Sequence, residues 1–292
     1  MSIFDKKKKN EGLQLPYSIG LSLGIFLLAC LFSICFANPA YNPSSGTTWQ
    51  TNPTWLTCFL AGGYGLLFIL DFGIRYSFKK EDDENKITPW IYFALGVAEF
   101  ALILVVMICY FVAFPGVREG PSWFGRIASA IVVCLLCLFN ILTRIPQYLD
   151  FKGMFENEGH DLINLTLIGA LTIAPQLMLL ALFQEHENRD TAKAACIFVI
   201  VMCVIVLLVP FFTTKFFKNK KQTHTFSALL AGAMTVIYLI FMVVFHKHYT
   251  QEIDPITYKE VYWAMFVYGY CMLVSVGVGA YHGICLYLSK KR

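Results

Sequence analysis

The residue with the clearest chemical potential in this sequence is Glu99, a carboxylate inside a long apolar stretch. It follows Trp90 by nine positions, which is roughly 14 Å along a helix that rises 1.5 Å per residue. Because tryptophan prefers the headgroup layer, this spacing predicts that Glu99 lies near the middle of a bilayer. Ionisable groups at that depth are costly and commonly bind a proton or an ion.

Two pairs of polar residues accompany Glu99 in neighbouring apolar stretches. Asp71 and Arg75 are four positions apart, as are Asn140 and Arg144, so the members of each pair share a helix face. We expect all five residues to form an intramembrane polar cluster. One interpretation is a pathway in which Glu99 binds a proton or ion and Arg75 or Arg144 supplies the opposite charge. The other interpretation is a buried hydrogen-bond cluster that fixes helix order. The later stretches hold few polar residues, which favours the structural interpretation.

The ten cysteines lie almost entirely within the apolar stretches, where cysteine behaves as a small apolar residue. Cys134 and Cys137 have the spacing of a redox or metal pair, but no second pair accompanies them. Cys35 and Cys58 flank a predicted outer loop and would form a disulfide if that loop faces an oxidising space. Cys285 lies beside the basic C-terminus, a position typical of S-palmitoylation, although a packing role explains it equally.

The six histidines give no spacing that predicts a metal centre. No apolar stretch carries two histidines at positions i and i+4, which a haem or zinc site on one helix would favour. His246 and His248 lie together at the end of one stretch and suit either a metal ion or an interface. No serine or cysteine has an evident base partner in the sequence. We therefore expect no metal, no cofactor and no enzymatic activity.

The elements that must position these residues are long apolar helices. The chain is 57% hydrophobic and 14% charged, whereas soluble domains carry about 25% charged residues. Runs of about 20 apolar residues have the length that a helix needs to cross a bilayer. The sequence predicts an all-α polytopic membrane protein with about eight transmembrane helices, at 16–37, 55–76, 90–114, 125–147, 162–184, 194–214, 226–246 and 261–288.

Basic residues predict the orientation of the chain. If the N-terminus is cytosolic, most of the 23 lysines and arginines fall on the cytosolic side, as the positive-inside rule requires. Both termini are then cytosolic. The first apolar run is too long for a signal peptide, so we expect it to be retained. The predicted organisation is a basic N-terminus over 1–15, membrane blocks over 16–150 and 151–288, and a basic tail over 289–292.

The two blocks have features of an internal duplication. The second predicted helix of each block ends in a basic connector, which begins at Arg75 in the first block and at Lys215 in the second. The segment that starts at Phe93 is also similar to the segment that starts at Phe226. An even number of spans per block would make this a parallel four-helix repeat. The alternative is that two apolar stretches look alike through composition alone.

Small residues predict how the helices associate. Gly20 and Gly24 are four positions apart, as are Gly279 and Gly283, and several glycines cluster from Gly62. Such spacing allows close helix packing or self-association. The predicted partners are membrane lipids, other membrane proteins or a second copy of the chain. The basic clusters are too short for nucleic-acid binding. The plasma membrane and the endomembrane system fit equally well.

Three segments carry a family resemblance: one begins at Trp55 (Trp-Leu-Thr-Cys-Phe), one runs from Leu66 to Asp71 (Leu-Leu-Phe-Ile-Leu-Asp), and one begins at Phe226 (Phe-Ser-Ala-Leu-Leu-Ala-Gly-Ala-Met). In these segments and in its layout, the chain resembles tandem MARVEL-domain proteins of the myeloid-associated differentiation marker type. The resemblance implies two four-helix units with cytosolic termini. It also implies a role in organising membrane domains, junctions or vesicle traffic rather than catalysis.

Two further resemblances point to transport. The stretch Ile173-Ala-Pro-Gln-Leu is similar to a segment of XK-related lipid scramblases, although the acidic residue that this family carries just before it is absent. Pro146-Gln147 and Pro175-Gln176 are similar to the paired dipeptides of PQ-loop transporters, but their separation is too short for that fold. The alternative function is therefore a transporter, channel or scramblase with a polar site around Glu99.

Overall fold

A computed structural model describes residues 19–31, 54–78, 88–113, 123–144, 162, 164–184, 190–213, 216–217, 219–250 and 258–290. Within these residues the chain is all-helical, with eight helices and no strand. The helices are α1 (Ile19–Leu31), α2 (Thr54–Phe78), α3 (Thr88–Ala113), α4 (Trp123–Thr143), α5 (Leu165–Gln184), α6 (Asp190–Thr213), α7 (Lys220–Thr250) and α8 (Tyr258–Lys290).

Each predicted span overlaps one of these helices, and the clearest differences are at helix ends. Helix α7 begins six residues before the predicted start at 226, because Asn219 caps its first turn. The Asn219 side-chain oxygen accepts a hydrogen bond from the Lys221 backbone amide at 3.0 Å, which satisfies one of the amides that a helix start leaves without a partner. The apolar pattern predicts only the part of α7 that spans the membrane, whereas the helix itself begins earlier, among polar residues.

Five of the described helices are long and apolar enough to cross a membrane: Phe124–Leu142, Leu165–Phe183, Asp190–Thr213, Lys220–His246 and Trp263–Ser289. Shorter apolar segments lie in the first three helices, at Ile19–Leu31, Phe59–Gly73 and Phe93–Cys109. These lengths and compositions are those of an integral membrane protein. The count of eight spans and the four-helix repeat remain predictions.

The chain divides into two compact units. Unit 1 comprises Met1–Arg118 and Ile131–Asp150, and unit 2 comprises Glu119–Ala130 and Phe151–Arg292. The units differ from the predicted blocks in assigning residues 119–130 to unit 2. The grouping into blocks 16–150 and 151–288, with their basic flanks, stays a prediction.

In unit 1 the first three helices pack through aromatic and small residues. The Phe26 ring of α1 stacks on Tyr64 and Phe68 of α2, with ring centroids 6.1 and 5.7 Å apart. A β-carbon at Gly65 would lie 3.2 Å from the Phe26 ring, and one at Gly63 would lie 3.1 Å from the Leu102 side chain of α3. Small residues at these two positions let α2 pack closely against both neighbours.

In unit 2, α5 packs against α6 and α8, and α7 packs along α8. Helices α5 and α6 approach closely at Gly169, where a β-carbon would lie 2.8 Å from the Leu207 β-carbon. Gly279 of α8 faces Ala231 of α7, whereas Gly283 meets nothing within 4 Å. Of the predicted glycine pair on α8, Gly279 therefore contacts α7, whereas Gly283 lies on an open face.

Candidate functional site

The carboxylates of Asp71 and Glu99, both predicted for the cluster, meet at the Arg144 guanidinium, just past the end of α4. Arg144 Nη2 donates a hydrogen bond to Glu99 Oε2 of α3 at 2.8 Å. Its Nη1 donates to Asp71 Oδ1 of α2 at 3.3 Å. Asp71 and Glu99 are each 1% exposed and Arg144 is 6% exposed. One guanidinium thus joins three helices of unit 1 through buried, charge-assisted hydrogen bonds.

Neutral hydrogen-bonding groups complete the cluster around the Glu99 carboxylate. The Tyr64 hydroxyl of α2 and the Asn140 amide nitrogen of α4 both donate to Glu99 Oε2, at 3.3 and 3.2 Å. The Ser22 hydroxyl of α1 donates to Asn140 Oδ1 at 3.4 Å and accepts from Arg144 Nη2 at 3.3 Å. The cluster therefore takes at least one side chain from each helix of unit 1.

Gly96 makes room for the arginine. It lies three residues before Glu99, on the same face of α3, and a β-carbon there would lie 2.9 Å from Arg144 Cδ and 3.2 Å from Nε. The Arg144 side chain consequently crosses the bare backbone of α3 on its way to the carboxylate. This close approach places the guanidinium against Glu99 in surroundings that exclude water, where an ion pair gains strength and an unpaired charge becomes very costly.

The structure brings together four of the five residues predicted for the cluster: Asp71, Glu99, Asn140 and Arg144. Arg75 lies on α2, but its side chain is outside the described residues. Of the two counter-charges considered for Glu99, Arg144 is in contact with it. The arrangement can hold helices together, and Glu99 offers a carboxylate oxygen, Oε1, that is buried and has no hydrogen-bond partner among the described residues.

The remaining predicted sites lie elsewhere. Cys285 is half-buried near the end of α8, and its lipidation stays a prediction. Cys134 is half-buried and Cys137 is buried in α4. Cys35 and the Cys58 side chain lie outside the described residues, as does the His248 side chain. No group of three or more histidine, cysteine or acidic residues in the described part of the chain is arranged to hold a metal ion.

Unit 2 contains a neutral polar network that the sequence did not predict. The Tyr238 hydroxyl of α7 donates to Thr172 Oγ1 of α5 at 3.1 Å. Both oxygens also contact Cys203 Sγ of α6, at 3.3 and 3.0 Å. The Gln176 amide nitrogen donates to Cys271 Sγ of α8 at 3.6 Å. All these residues are buried, so hydroxyl, thiol and amide groups link the four helices of unit 2.

Sequence reasoning also missed Ser22 and Tyr64 in unit 1. Hydroxyl residues are common in spanning helices, and their spacing along the chain does not reveal which carboxylate they will contact. The helix pattern carries one indication: Tyr64 and Asp71 are seven residues apart, two turns along one face of α2. A hydroxyl on the face of a buried carboxylate is a candidate donor to the same cluster.

Comparison of the chain with protein families, curated proteins and solved structures finds no match. What is established about function is therefore the general class, an integral membrane protein with apolar helices.

Proposed function

We propose that this chain is a non-enzymatic membrane protein that organises membrane domains or associates with other membrane proteins. Its predicted orientation places both termini in the cytosol, in the plasma membrane or the endomembrane system. The resemblance to tandem MARVEL-domain proteins is in keeping with this role, and it supplies the expectation of a scaffold rather than a catalyst.

The observation that carries the proposal is the way Asp71, Glu99 and Arg144 contact one another. Both carboxylates bind the same guanidinium, and Tyr64 and Asn140 add donors to Glu99. These contacts cross between helices, as a lock on helix order would require. A pathway for ions would be better served by polar groups that face a water-filled cavity and form broken helices around it.

The outward faces supply surfaces for association. On α8, Leu273, Val276 and Ile284 are 49–64% exposed, and Gly277 and Gly283 on the same side have open space beside them. Apolar residues flanking exposed glycines allow another helix to approach closely in a membrane. We therefore place self-association, or contact with another membrane protein, on this face of α8.

A transporter, channel or scramblase is the second candidate. The specific observation in its favour is Glu99 Oε1, a buried carboxylate oxygen without a hydrogen-bond partner among the described residues. Buried groups of this kind call for an explanation, and a bound ion, proton or water is one.

A flux assay separates the two candidates. Purified protein reconstituted in liposomes is assayed for proton, potassium and lipid movement, with wild type beside Glu99→Gln. We expect neither protein to exceed empty liposomes. Asp190→Asn, which removes an exposed carboxylate paired with Lys193 at 3.2 Å, controls for loss of charge. Flux in wild type and Asp190→Asn that disappears in Glu99→Gln would overturn the proposal in favour of transport.

The association itself is tested by energy transfer between donor-labelled and acceptor-labelled copies in liposomes. Gly283→Leu should lower the transfer, because a bulky residue would obstruct the open face of α8. Gly73→Leu on α2, another glycine with nothing within 4 Å, is the matched control and should leave the transfer unchanged. Equal transfer in all three proteins would rule out this face of α8 for self-association.

A further inference from the structure

Two buried histidines of unit 2 contact each other, one on α7 and one on α8. His224 lies one turn into α7 and His282 lies two turns before the end of α8. They are 7% and 0% exposed. Their Nδ1 atoms are 2.9 Å apart, whereas the ring centroids are 5.2 Å apart. The two nitrogens therefore face each other across the gap between the rings, as in an N–H···N hydrogen bond that links the two helices.

This hydrogen bond limits how many protons the two rings can hold. It needs Nδ1–H on one ring and the Nδ1 lone pair on the other, and a neutral imidazole has one nitrogen of each kind. One added proton can bind Nε2 of the donating ring and leave the bond in place. A second added proton would put N–H groups on both facing nitrogens and a positive charge on each ring. The contact therefore tolerates one added proton but not two.

The position of the contact decides which part of the interface would open. Farther along α7 and α8, a β-carbon at Gly279 would lie 3.4 Å from the Ala231 β-carbon, and Thr235 donates to Ser275 at 3.0 Å. These contacts contain no ionisable group. The histidines are closer to the start of α7 than either contact, so the first turns of α7 can separate from α8 while the rest of the interface stays closed.

The charged groups on the neighbouring helices do not cancel a charge on the two rings. Helix α5, which packs against α7 and α8, contains no ionisable residue. On α6 the charged residues Asp190 and Lys193 lie at the helix start. Phe198 of α6 contacts Phe241 of α7, so that start lies toward the opposite end of α7 from His224.

The titratable groups on α7 and α8 themselves are lysine, tyrosine and cysteine. Lys220 and Lys221 precede His224 and are exposed, and as cations they give no support to a second positive charge. The Tyr281 ring meets the His282 ring edge-on, with centroids 5.2 Å apart. Cys285, one turn after His282, is half-buried. Near neutral pH, histidine is the side chain among these types that ordinarily titrates.

We propose that His224 and His282 form an acid-sensitive switch between α7 and α8. The contact is closed while the two rings hold no more than one added proton, and it opens when both rings are protonated. Protons reach the rings from the start of α7, where the exposed lysines lie one turn from His224. This switch goes beyond the proposed role in membrane organisation and does not depend on it.

The hydrogen bond itself is tested by nuclear magnetic resonance of the full chain, labelled with ¹⁵N-histidine in detergent micelles. Imidazole in water takes up its proton around pH 6.5. At about pH 7.5 we expect a coupling between the nitrogens of one histidine pair, transmitted through the hydrogen bond. The coupling should be absent in His224→Gln and present in His246→Gln, which replaces an exposed histidine of the same helix. At about pH 5 it should be lost from the wild type.

The energetic consequence is tested by unfolding wild type and the double variant His224→Gln/His282→Gln in mixed micelles. Below about pH 6.5 the unfolded chain binds a proton on both rings, whereas the closed pair holds at most one, so acid favours unfolding. One such proton corresponds to a tenfold change in the unfolding constant per pH unit. Between about pH 6.5 and pH 5, the unfolding constant of wild type relative to the double variant should rise roughly tenfold. Relative to His246→Gln it should stay nearly constant.

Three results would overturn the switch. They are no coupling at about pH 7.5, a coupling that persists at about pH 5, or a ratio of unfolding constants that does not change with pH. The first two are measured on the wild-type chain, so they decide the question even if the glutamine variants do not fold. The results of the flux and energy-transfer assays leave this test unaffected.

Discussion

The two units join their helices with different polar chemistry. Unit 1 uses charge: one guanidinium binds two carboxylates from two other helices. Unit 2 uses neutral groups: a tyrosine hydroxyl, a threonine hydroxyl and a cysteine thiol contact one another across three helices. Both networks are buried. Their hydrogen bonds are directional, whereas the apolar contacts between the helices are not. The difference lies in what happens when one member is lost.

A charged network fails more severely than a neutral one. Removing Arg144 would leave two carboxylates in surroundings that exclude water, whereas removing the Tyr238 hydroxyl would leave two small neutral groups that still contact each other. Breaking a buried ion pair costs about 3–5 kcal/mol. Hydrogen bonds between neutral side chains in membrane helices average about 0.6 kcal/mol. We therefore expect mutations in the charged network of unit 1 to lower stability much more than mutations in the neutral network of unit 2.

The largest expected effect is that of Arg144→Met. The methionine keeps much of the volume but leaves Glu99 and Asp71 without the guanidinium, so we expect a loss of about 3–5 kcal/mol in the free energy of unfolding. Unfolding in mixed detergent micelles, followed by circular dichroism, measures it. Leu135→Met, at an exposed position of the same helix, should change stability by less than about 0.5 kcal/mol. Comparable losses in both variants would mean that the cluster contributes little.

The next largest effect is that of Gly169→Ala in unit 2, which changes how closely two helices pack and removes no polar contact. Gly169→Ala adds a β-carbon 2.9 Å from the Leu207 backbone nitrogen, so α5 and α6 must separate. Overpacking of this kind typically costs about 1–3 kcal/mol. The control is Gly232→Ala on α7, where nothing lies within 4 Å. If Gly169→Ala is as stable as Gly232→Ala, the close approach of α5 and α6 is not a source of stability.

The smallest effect is that of Tyr238→Phe. The ring stays in place, and the lost hydroxyl removes contacts with Thr172 and Cys203. We expect a loss of about 0.5–1.5 kcal/mol, measured by the same unfolding assay. A loss as large as that of Arg144→Met would remove the distinction between the charged and the neutral network.

Charge was predictable from the sequence because it is rare in apolar helices. Asp71, Glu99 and Arg144 are conspicuous in stretches where nearly every neighbour is apolar, and their cost in hydrocarbon predicts that they will pair. The sequence also indicated the apolar helices, whose length is set by bilayer thickness. Which arginine faces Glu99 was not predictable, because helical spacing gives the face of one helix and not the rotation of its neighbour.

The neutral contacts of unit 2 were not predictable from the sequence, for a different reason. Thr172, Cys203 and Tyr238 are types that occur throughout spanning helices, so none of them stands out. His224 and His282 lie 58 positions apart, and the sequence gives no indication that their rings meet. Contacts between helices depend on packing such as that at Gly169 and Gly279, which single-helix patterns do not contain.

The ion pair between Glu99 and Arg144 is tested most directly by a double-mutant cycle. Unfolding free energies are measured for wild type, Glu99→Gln, Arg144→Met and the double variant. Because the main penalty of Arg144→Met is an uncompensated carboxylate at Glu99, the added Glu99→Gln should restore much of the lost stability. We predict a coupling energy of about 2 kcal/mol or more, toward the upper end of the range for residues in contact. Losses that simply add, within about 0.5 kcal/mol, would contradict the claim that this ion pair locks the helices of unit 1.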